Sequence, residues 1–230
     1  SIEDVKLRNW LTLALSSALR PSSRWLSGSI KPQVDPDRKP SSLSAHFIRA
    51  ARALARDCRR EKMPAKSMLA IILKGDARRL PLKDACVDAV VTSPPYANTY
   101  DYFDVQRLSY IAFGWPREEQ LQIGQSSGIS MDGVGFEPPQ SMKVWYEKYR
   151  KETTIQGRSL RAYLNSMRVH FAEVQRVLVP GGVIAYAVGN SIRENNTFPL
   201  VQGLVELLKE SDFRRICIHQ RSNSSRRILP

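Results

Sequence analysis

Val87-Asp88-Ala89-Val90-Val91-Thr92-Ser93-Pro94-Pro95-Tyr96 is the stretch on which the reading of this chain turns. The apolar run 87–91 reads as a buried parallel strand that ends in a rigid turn. Two consecutive prolines remove two backbone donors and fix two φ angles. The residue before each proline is pushed into an extended conformation. The outcome is a stiff, non-helical loop at the carboxyl end of a strand, carrying a hydroxyl, carbonyls and an aromatic ring. Open α/β sheets bind their ligands at that end. The ring can stack on a planar group, and the carbonyls can accept hydrogen bonds from an amino group. A site that holds a flipped nucleobase by its exocyclic nitrogen needs those properties. A proline-rich turn without chemistry is the plainer alternative.

Upstream, the apolar run 68–73 reads as another strand, followed by Lys74-Gly75-Asp76-Ala77-Arg78. A Gly-Asp pair just past a strand places a carboxylate at the ligand edge of the sheet. An ordinary turn aspartate is the alternative. Downstream, Ala97-Asn98-Thr99-Tyr100-Asp101-Tyr102-Phe103 gathers three aromatic rings beside the proline loop, with Asn98 between them and Tyr96. Aromatics at this place can wall a base pocket or stack on the base, while some belong to the core.

Thr-Ser-Pro-Pro-Tyr at 92–96 resembles the catalytic motif of the S-adenosylmethionine-dependent amino-methyltransferases, in the serine form commonest among cytosine-N4 DNA methyltransferases. The segments 75–84 and 87–96 together resemble that family over some 22 residues. The resemblance implies an α/β fold of the Rossmann-like methyltransferase type. Its sheet is mostly parallel, helices cover both faces, and the chain is incomplete at its N-terminal side. It implies Ser93, Pro94, Pro95 and Tyr96 as the catalytic loop. Gly75, Asp76, Ala77 and Thr92 are the expected contacts to S-adenosylmethionine, with Asp76 receiving the adenine amino group. Asn98, Tyr100, Tyr102, Asn190 and Ser191 are the expected contacts to the base or its backbone. DNA is the implied partner and a cognate restriction endonuclease a further one. An RNA base methyltransferase and a non-catalytic nucleic-acid-binding half of a split enzyme are the alternatives.

The 230 residues carry 35 Lys/Arg against 22 Asp/Glu, a net charge of +13. Residues 1–66 hold 14 basic and 6 acidic residues, residues 67–213 hold 16 of each, and residues 214–230 hold five arginines and no acid. The excess sits at the two ends, around a neutral centre. Such a distribution suits a polyanion, because phosphate contacts supply much of nucleic-acid affinity; a generally basic surface is the alternative. The division predicts a basic helical segment with a linker over 1–66 and the catalytic part over 67–230. Cys58, Cys86 and Cys217 lack metal-ligand spacing and read as reduced thiols in a cytoplasmic protein. No apolar run is long enough for a membrane span, so no membrane partner is expected. The chain opens with Ser1, and its acidic start does not resemble a secretory leader.

Apolar spacing predicts helices over 4–20, 44–62, 105–113, 158–178 and 197–210. Pro21 is expected to end the first, and Ser44 to cap the second. Residues 21–43, with Pro32, Pro36 and Pro40, read as a linker whose Arg24, Lys31, Arg38 and Lys39 can meet phosphates or simply be solvated. Arg49, Arg52, Arg56, Arg59 and Arg60 are spread over the second helix, able to line a DNA groove or to be solvated. Residues 122–142 read as a loop over the groove. His46 reads as a surface residue and His170 as the edge of the core face. Val179-Pro180-Gly181-Gly182 joins the 158–178 helix to a strand over 183–188, in a form widespread in methyltransferases. Gly189-Asn190-Ser191 then lies at the same sheet edge as Ser93, where Asn190 can contact the base or cap a neighbouring element. Residues 213–219 read as a last strand.

The family's glycine-rich loop for the methionine end of the donor, and the strand after it that holds the ribose, have no counterpart in these 230 residues. In the doubly wound order two strands separate the strand at 68–73 from the strand at 87–91. Their absence leaves backbone donors and acceptors to be satisfied otherwise. The expectation is a fragment, completed by an N-terminal segment or by a second chain.

Overall fold

The computed structural model of the chain describes residues 2–29, 32–60, 70–97, 102–118, 122–123, 136–151, 155–193 and 196–220. Two compact units are present. One comprises Ser1–Ile72 and Tyr100–Glu119, the other Leu73–Thr99 and Gln120–Pro230.

The first unit is helical. Helix α1, Val5–Ser22, starts where Asp4 accepts a hydrogen bond from the Leu7 amide at 3.0 Å. Such a cap satisfies one of the donors a helix start leaves open. Pro21 is accommodated in the last turn rather than ending the helix before it. Ala14 and Ala18, four residues apart on one face, are the buried positions of α1. Helix α2, Leu43–Arg60, packs on α1. Its cap is Ser42, whose hydroxyl accepts from the Ala45 amide at 3.2 Å, two residues before the expected Ser44. His46 lies at this surface, with Nε2 2.9 Å from the Ser41 hydroxyl.

The connection between α1 and α2 is ordered by its arginines. Arg20 donates to the Ser29 carbonyl and lies 4.9 Å from the centre of the buried Trp25 ring. Arg24 donates to the Pro36 carbonyl, and Arg38 to the carbonyls of Trp25 and Pro21 at 2.6 and 2.8 Å. Arg24 and Arg38 therefore hold their own loop and are not held out toward phosphates. The helix expected over 105–113 is two pieces, α3 at Tyr102–Val105 and α4 at Arg107–Phe113, the latter stopped by Gly114 at φ 62°.

The second unit mixes helix and strand around a small parallel sheet. Strand β1, Val87–Thr92, pairs with β2, Leu178–Tyr186, from Val87↔Leu178 to Thr92↔Tyr186. Strand β2 begins five residues before the expected 183, because Val179–Gly182 bulge out between the pairs Val87↔Leu178 and Ala89↔Val183. Gly181 makes the bulge possible at φ 81°, a backbone conformation that side chains disfavour. Helix α5, Lys143–Lys151, follows a single turn of 3-10 helix at Gln140–Met142, in a region expected to be loop as far as 142. Helix α6, Ile155–Val177, leads directly into β2. The hairpin of β3, Ser191–Arg193, and β4, Asn196–Phe198, leads into helix α7, Leu200–Glu210.

The core lies on α6. Leu160, Tyr163, Leu164, Met167 and Phe171 of that helix are fully buried with Met142, Phe198, Leu200 and Leu207. Ile184, Tyr186 and Val188 pack against this cluster from the sheet. Alternation along β1 and β2 turns Val91 and Val183 the other way, where they are 81% and 64% exposed. Parallel sheets are ordinarily covered on both faces; among the described residues only the α6 side of this one is.

Two expected strands are not found among the described residues, which take in only 70–73 of the first. Residues 70–73 carry no regular structure, and Ile72 is 95% exposed. An extended apolar segment needs a neighbour for its backbone groups, and β1 pairs only with β2 among the described residues. Residues 213–219 also form no strand. Asp212 and Arg215 take φ of 58° and 56°, which interrupts an extended backbone. Phe213 and Ile216, both against the core, are three apart, a spacing that a strand of period two places on opposite faces.

Gly203 on α7 faces Met142, and a Cβ added there lies 2.2 Å from Met142 Sδ. With Met142 fully buried, Gly203→Ala is expected to cost about 1–3 kcal/mol by overpacking. Urea denaturation of Gly203→Ala, Met142→Ala and the double variant checks this. The double variant loses less than the sum of the single losses, and additive losses show that the two positions do not press on each other.

Candidate functional site

Strand β1 delivers Thr92 and Ser93 to the carboxyl end of the parallel pair. Thr92 stands opposite Tyr186, and its carbonyl accepts from the Ala187 amide at 2.9 Å. The next residue repeats this attachment through its side chain: the Ser93 hydroxyl donates to the Ala187 carbonyl at 2.9 Å. A serine hydroxyl has one proton and two lone pairs. With the proton fixed on Ala187, the exposed oxygen meets any incoming group as an acceptor. Pro94 and Pro95 are half-buried and stiffen the exit from the strand, Tyr96 is exposed, and Ala97 is anchored in the core. Serine, prolines and tyrosine are thus brought together on a braced loop.

Asp76 has a partner within its own turn. Its carboxylate is gripped by Arg78, whose Nε lies 3.0 Å from Oδ1 and whose Nη2 lies 2.7 Å from Oδ2. The Arg78 amide adds a third donor to Oδ1 at 2.8 Å. These bonds hold the carboxyl of Asp76 below the usual aspartate range. Gly75 packs on Pro81, with an added Cβ only 2.9 Å from the proline Cδ. The Ala77 carbonyl accepts from His170 Nδ1 at 2.8 Å. Asp76 and Ala77 thus have close partners in the chain itself, and Gly75 serves close packing. Each carboxylate oxygen carries two lone pairs, and the Asp76 side chain is 26% exposed, so the pairing with Arg78 leaves room for a further donor.

The remaining predicted contacts belong to different elements. Asn190 accepts from the Val201 amide at 2.9 Å, so its side-chain carbonyl caps the first turn of α7. Ser191 opens β3 opposite Phe198. Tyr102 opens α3 in the other unit. Asn98 and Tyr100 lie outside the described residues, as does 124–135, the greater part of the loop expected over the groove. The three cysteines are free and exposed, and the described residues contain no cluster of metal-binding side chains. No helix is long and apolar enough to cross a membrane, among the described residues.

The groups that position this site stand at three-residue intervals on α6. His170 reaches Ala77 through Nδ1, and its Nε2 lies 2.7 Å from the Tyr186 hydroxyl. A carbonyl only accepts, so Nδ1 carries the proton and Nε2 accepts from Tyr186. Burial pushes the Tyr186 hydroxyl well above its usual range, which keeps it a donor. Glu173 accepts from the Leu80 amide at 2.6 Å and pairs with Arg176 at 2.7 Å. The Arg176 guanidinium holds the Glu173 carboxyl down at about 2. Arg176 continues to Asp84 at 2.5 Å and to the Leu80 carbonyl at 3.3 Å. The whole connection from Ala77 to Asp84 is therefore fastened to one side of α6. Its footing reaches Tyr186, the residue opposite Thr92. The spacing His170, Glu173, Arg176 was available in the sequence as one polar line beside the apolar face.

Comparison with protein-family models, with curated proteins and with solved structures finds no match to this chain.

Burial holds the His170 pKa below its ordinary 6.5, against the opposing influence of Asp76 and Glu173. The unfolded chain therefore takes up this proton first as pH falls. The contribution of neutral His170 to stability is complete above about 6.5 and declines below it, toward the lowered folded value. Urea midpoints measured from pH 7.5 to 5 are expected to fall in the native chain. In His170→Gln the part of that fall due to this residue is lost, and the variant is weaker by about 1–3 kcal/mol at pH 7.5 from the unpaired Ala77 and Tyr186 groups. An unchanged pH profile in the variant removes His170 from this role.

Proposed function

We propose that the chain serves S-adenosylmethionine-dependent methylation of an exocyclic amino group of a flipped base in DNA, with cytosine N4 as the target. One observation carries the reading: the Ser93 hydroxyl donates to Ala187 and leaves its oxygen as an acceptor, on a braced loop at the carboxyl end of a parallel strand pair. An amino group supplies the matching donor. In this reading the base amino group donates to Ser93 Oγ and to the Pro94 carbonyl, while the Tyr96 ring stacks on the base. Positioning of this kind dominates transfer to a poised nucleophile. The fold would be a Rossmann-like methyltransferase fold in which β1 and β2 are adjacent strands. Residues 67–230 would be its catalytic part and 1–66 a basic DNA-contacting region. The setting would be cytoplasmic, beside a cognate restriction endonuclease. Asp76 would accept the adenine amino group of the methyl donor with the lone pairs that Arg78 leaves open, and no step is assigned through the donor itself.

The test must not depend on knowing the recognition sequence. Genomic DNA is incubated with the full chain and labelled S-adenosylmethionine, digested to nucleosides and resolved by mass spectrometry. N4-methyldeoxycytidine is the expected product. Ser93→Ala and Tyr96→Ala are each expected to reduce its formation by about 10²-fold or more, the scale of losing one oriented polar or stacking group in a site. Full activity in both variants sinks the assignment of the loop. Label in RNA alone selects the RNA alternative, and label in neither selects the split-enzyme reading.

A further inference from the structure

We infer that Arg49, Arg52, Arg56 and Arg59 of α2 form a surface that grips the phosphate backbone of duplex DNA. The inference rests on the reading of nucleic acid as the substrate, and its test requires no methyl donor. Along α2 these residues recur at intervals of three, four and three. At 3.6 residues per turn that spacing confines them to an arc of about 80°, and at 1.5 Å per residue the line runs for about 15 Å. All four are exposed. No ion pair is found for any of them among the described residues, and the one acid of the helix, Asp57, lies off the line.

The contrast with the rest of this unit gives the line its meaning. Arg20, Arg24 and Arg38 are turned onto carbonyls of their own loop. The α2 arginines are turned outward in register, which four like charges adopt at an electrostatic cost unless an anion meets them. An anionic membrane is the less suitable partner. A helix that lies in a membrane needs an apolar face to insert, and the half-buried Phe47, Ala51 and Leu54 lie on the opposite side, where α2 packs on α1. Duplex DNA fits better than duplex RNA. The major groove of B-form DNA, about 12 Å wide, admits a helix, whereas that of A-form RNA is too deep and narrow. Four arginines without an interleaved amide or aromatic side chain hold phosphates rather than read bases.

The experiment is fluorescence anisotropy of the full chain with a labelled 20-base-pair duplex of arbitrary sequence, titrated from about 50 to 200 mM salt. Each phosphate contact adds about −0.9 to the slope of log K against log salt. The quadruple variant Arg49→Gln, Arg52→Gln, Arg56→Gln, Arg59→Gln is expected to lose about 3–4 units of slope and about 10²-fold in affinity at the low-salt end. The corresponding four Arg→Lys changes keep the slope. Lys6→Gln with Arg8→Gln, removing exposed charge from α1, is the control and changes the slope by less per charge. Circular dichroism shows that the helices of each variant remain, since Arg, Lys and Gln are all good helix formers. An unchanged slope in the quadruple glutamine variant overturns the inference, as does an equal loss per charge in the α1 control. Tighter binding to an RNA hairpin or to anionic vesicles than to duplex DNA overturns the choice of partner. Failure of methylation with the slope intact overturns the enzymatic reading and leaves this surface standing.

Discussion

One helix sets the geometry of the catalytic candidate. The apolar side of α6 is the floor of the core, with Leu160, Tyr163, Leu164, Met167 and Phe171 all fully buried. Its neighbouring side carries His170, Glu173 and Arg176, which fasten the connection between Ala77 and Asp84. That connection delivers the chain into β1, where the Ala85 and Cys86 amides donate to the Arg176 and Val177 carbonyls. The direction of β1 therefore follows from α6 before any sheet pairing is made. The loop at 93–96 inherits its position from the strand, and Ser93 fixes it once more through Ala187. A parallel pair of two strands has few ladder bonds of its own, so this lateral attachment replaces what wider sheets obtain from neighbours on both edges.

Much of this was legible from the residues. The long apolar period of 158–178 and the Pro-Gly-Gly join predicted α6 and the strand after it, and the run 87–91 predicted β1. Their parallel pairing brings the carboxyl ends of the two strands, at Thr92 and Tyr186, side by side. What could not be read lies in the polar side chains. Whether Asp76 faces a ligand or Arg78 depends on which partner is within reach, and a sequence with Arg78 two residues on leaves both open. The same is true of Asn190, whose choice of Val201 depends on where α7 begins. The strands at 68–73 and 213–219 failed for separate reasons. The first has no neighbour to complete its hydrogen bonds among the described residues, and the second is broken by Asp212 and Arg215 at positive φ. Hydrophobic runs report burial, while strand formation also requires a partner that the run itself does not specify.

Arginine has two unlike uses in this chain. In the connection after α1 and on α6 its planar head organises carbonyls and carboxylates, giving the segments fixed shapes that their proline and glycine content alone does not specify. Arg168 does the same for the 136–140 region, reaching the Glu137 carbonyl and Glu210 while stacking 5.1 Å over Phe136. On α2 the same residue type is displayed outward. Composition counts the two kinds together, so a net charge overstates the surface available to a polyanion; only the placement of each guanidinium separates scaffold from interface.

The uncovered side of the β1–β2 pair has a colloidal consequence. Val91 and Val183 present apolar surface there, and the far edge of β1 has no ladder partner among the described residues. An open strand edge beside β-branched side chains is a template for adding another strand, and natural proteins normally blunt such edges with charge, proline or a covering element. Pro94 and Pro95 follow β1, and within the strand Asp88 is the one charged residue. Substitutions that lengthen or flatten this edge, or that remove Asp88, would therefore lower solubility before they altered the fold.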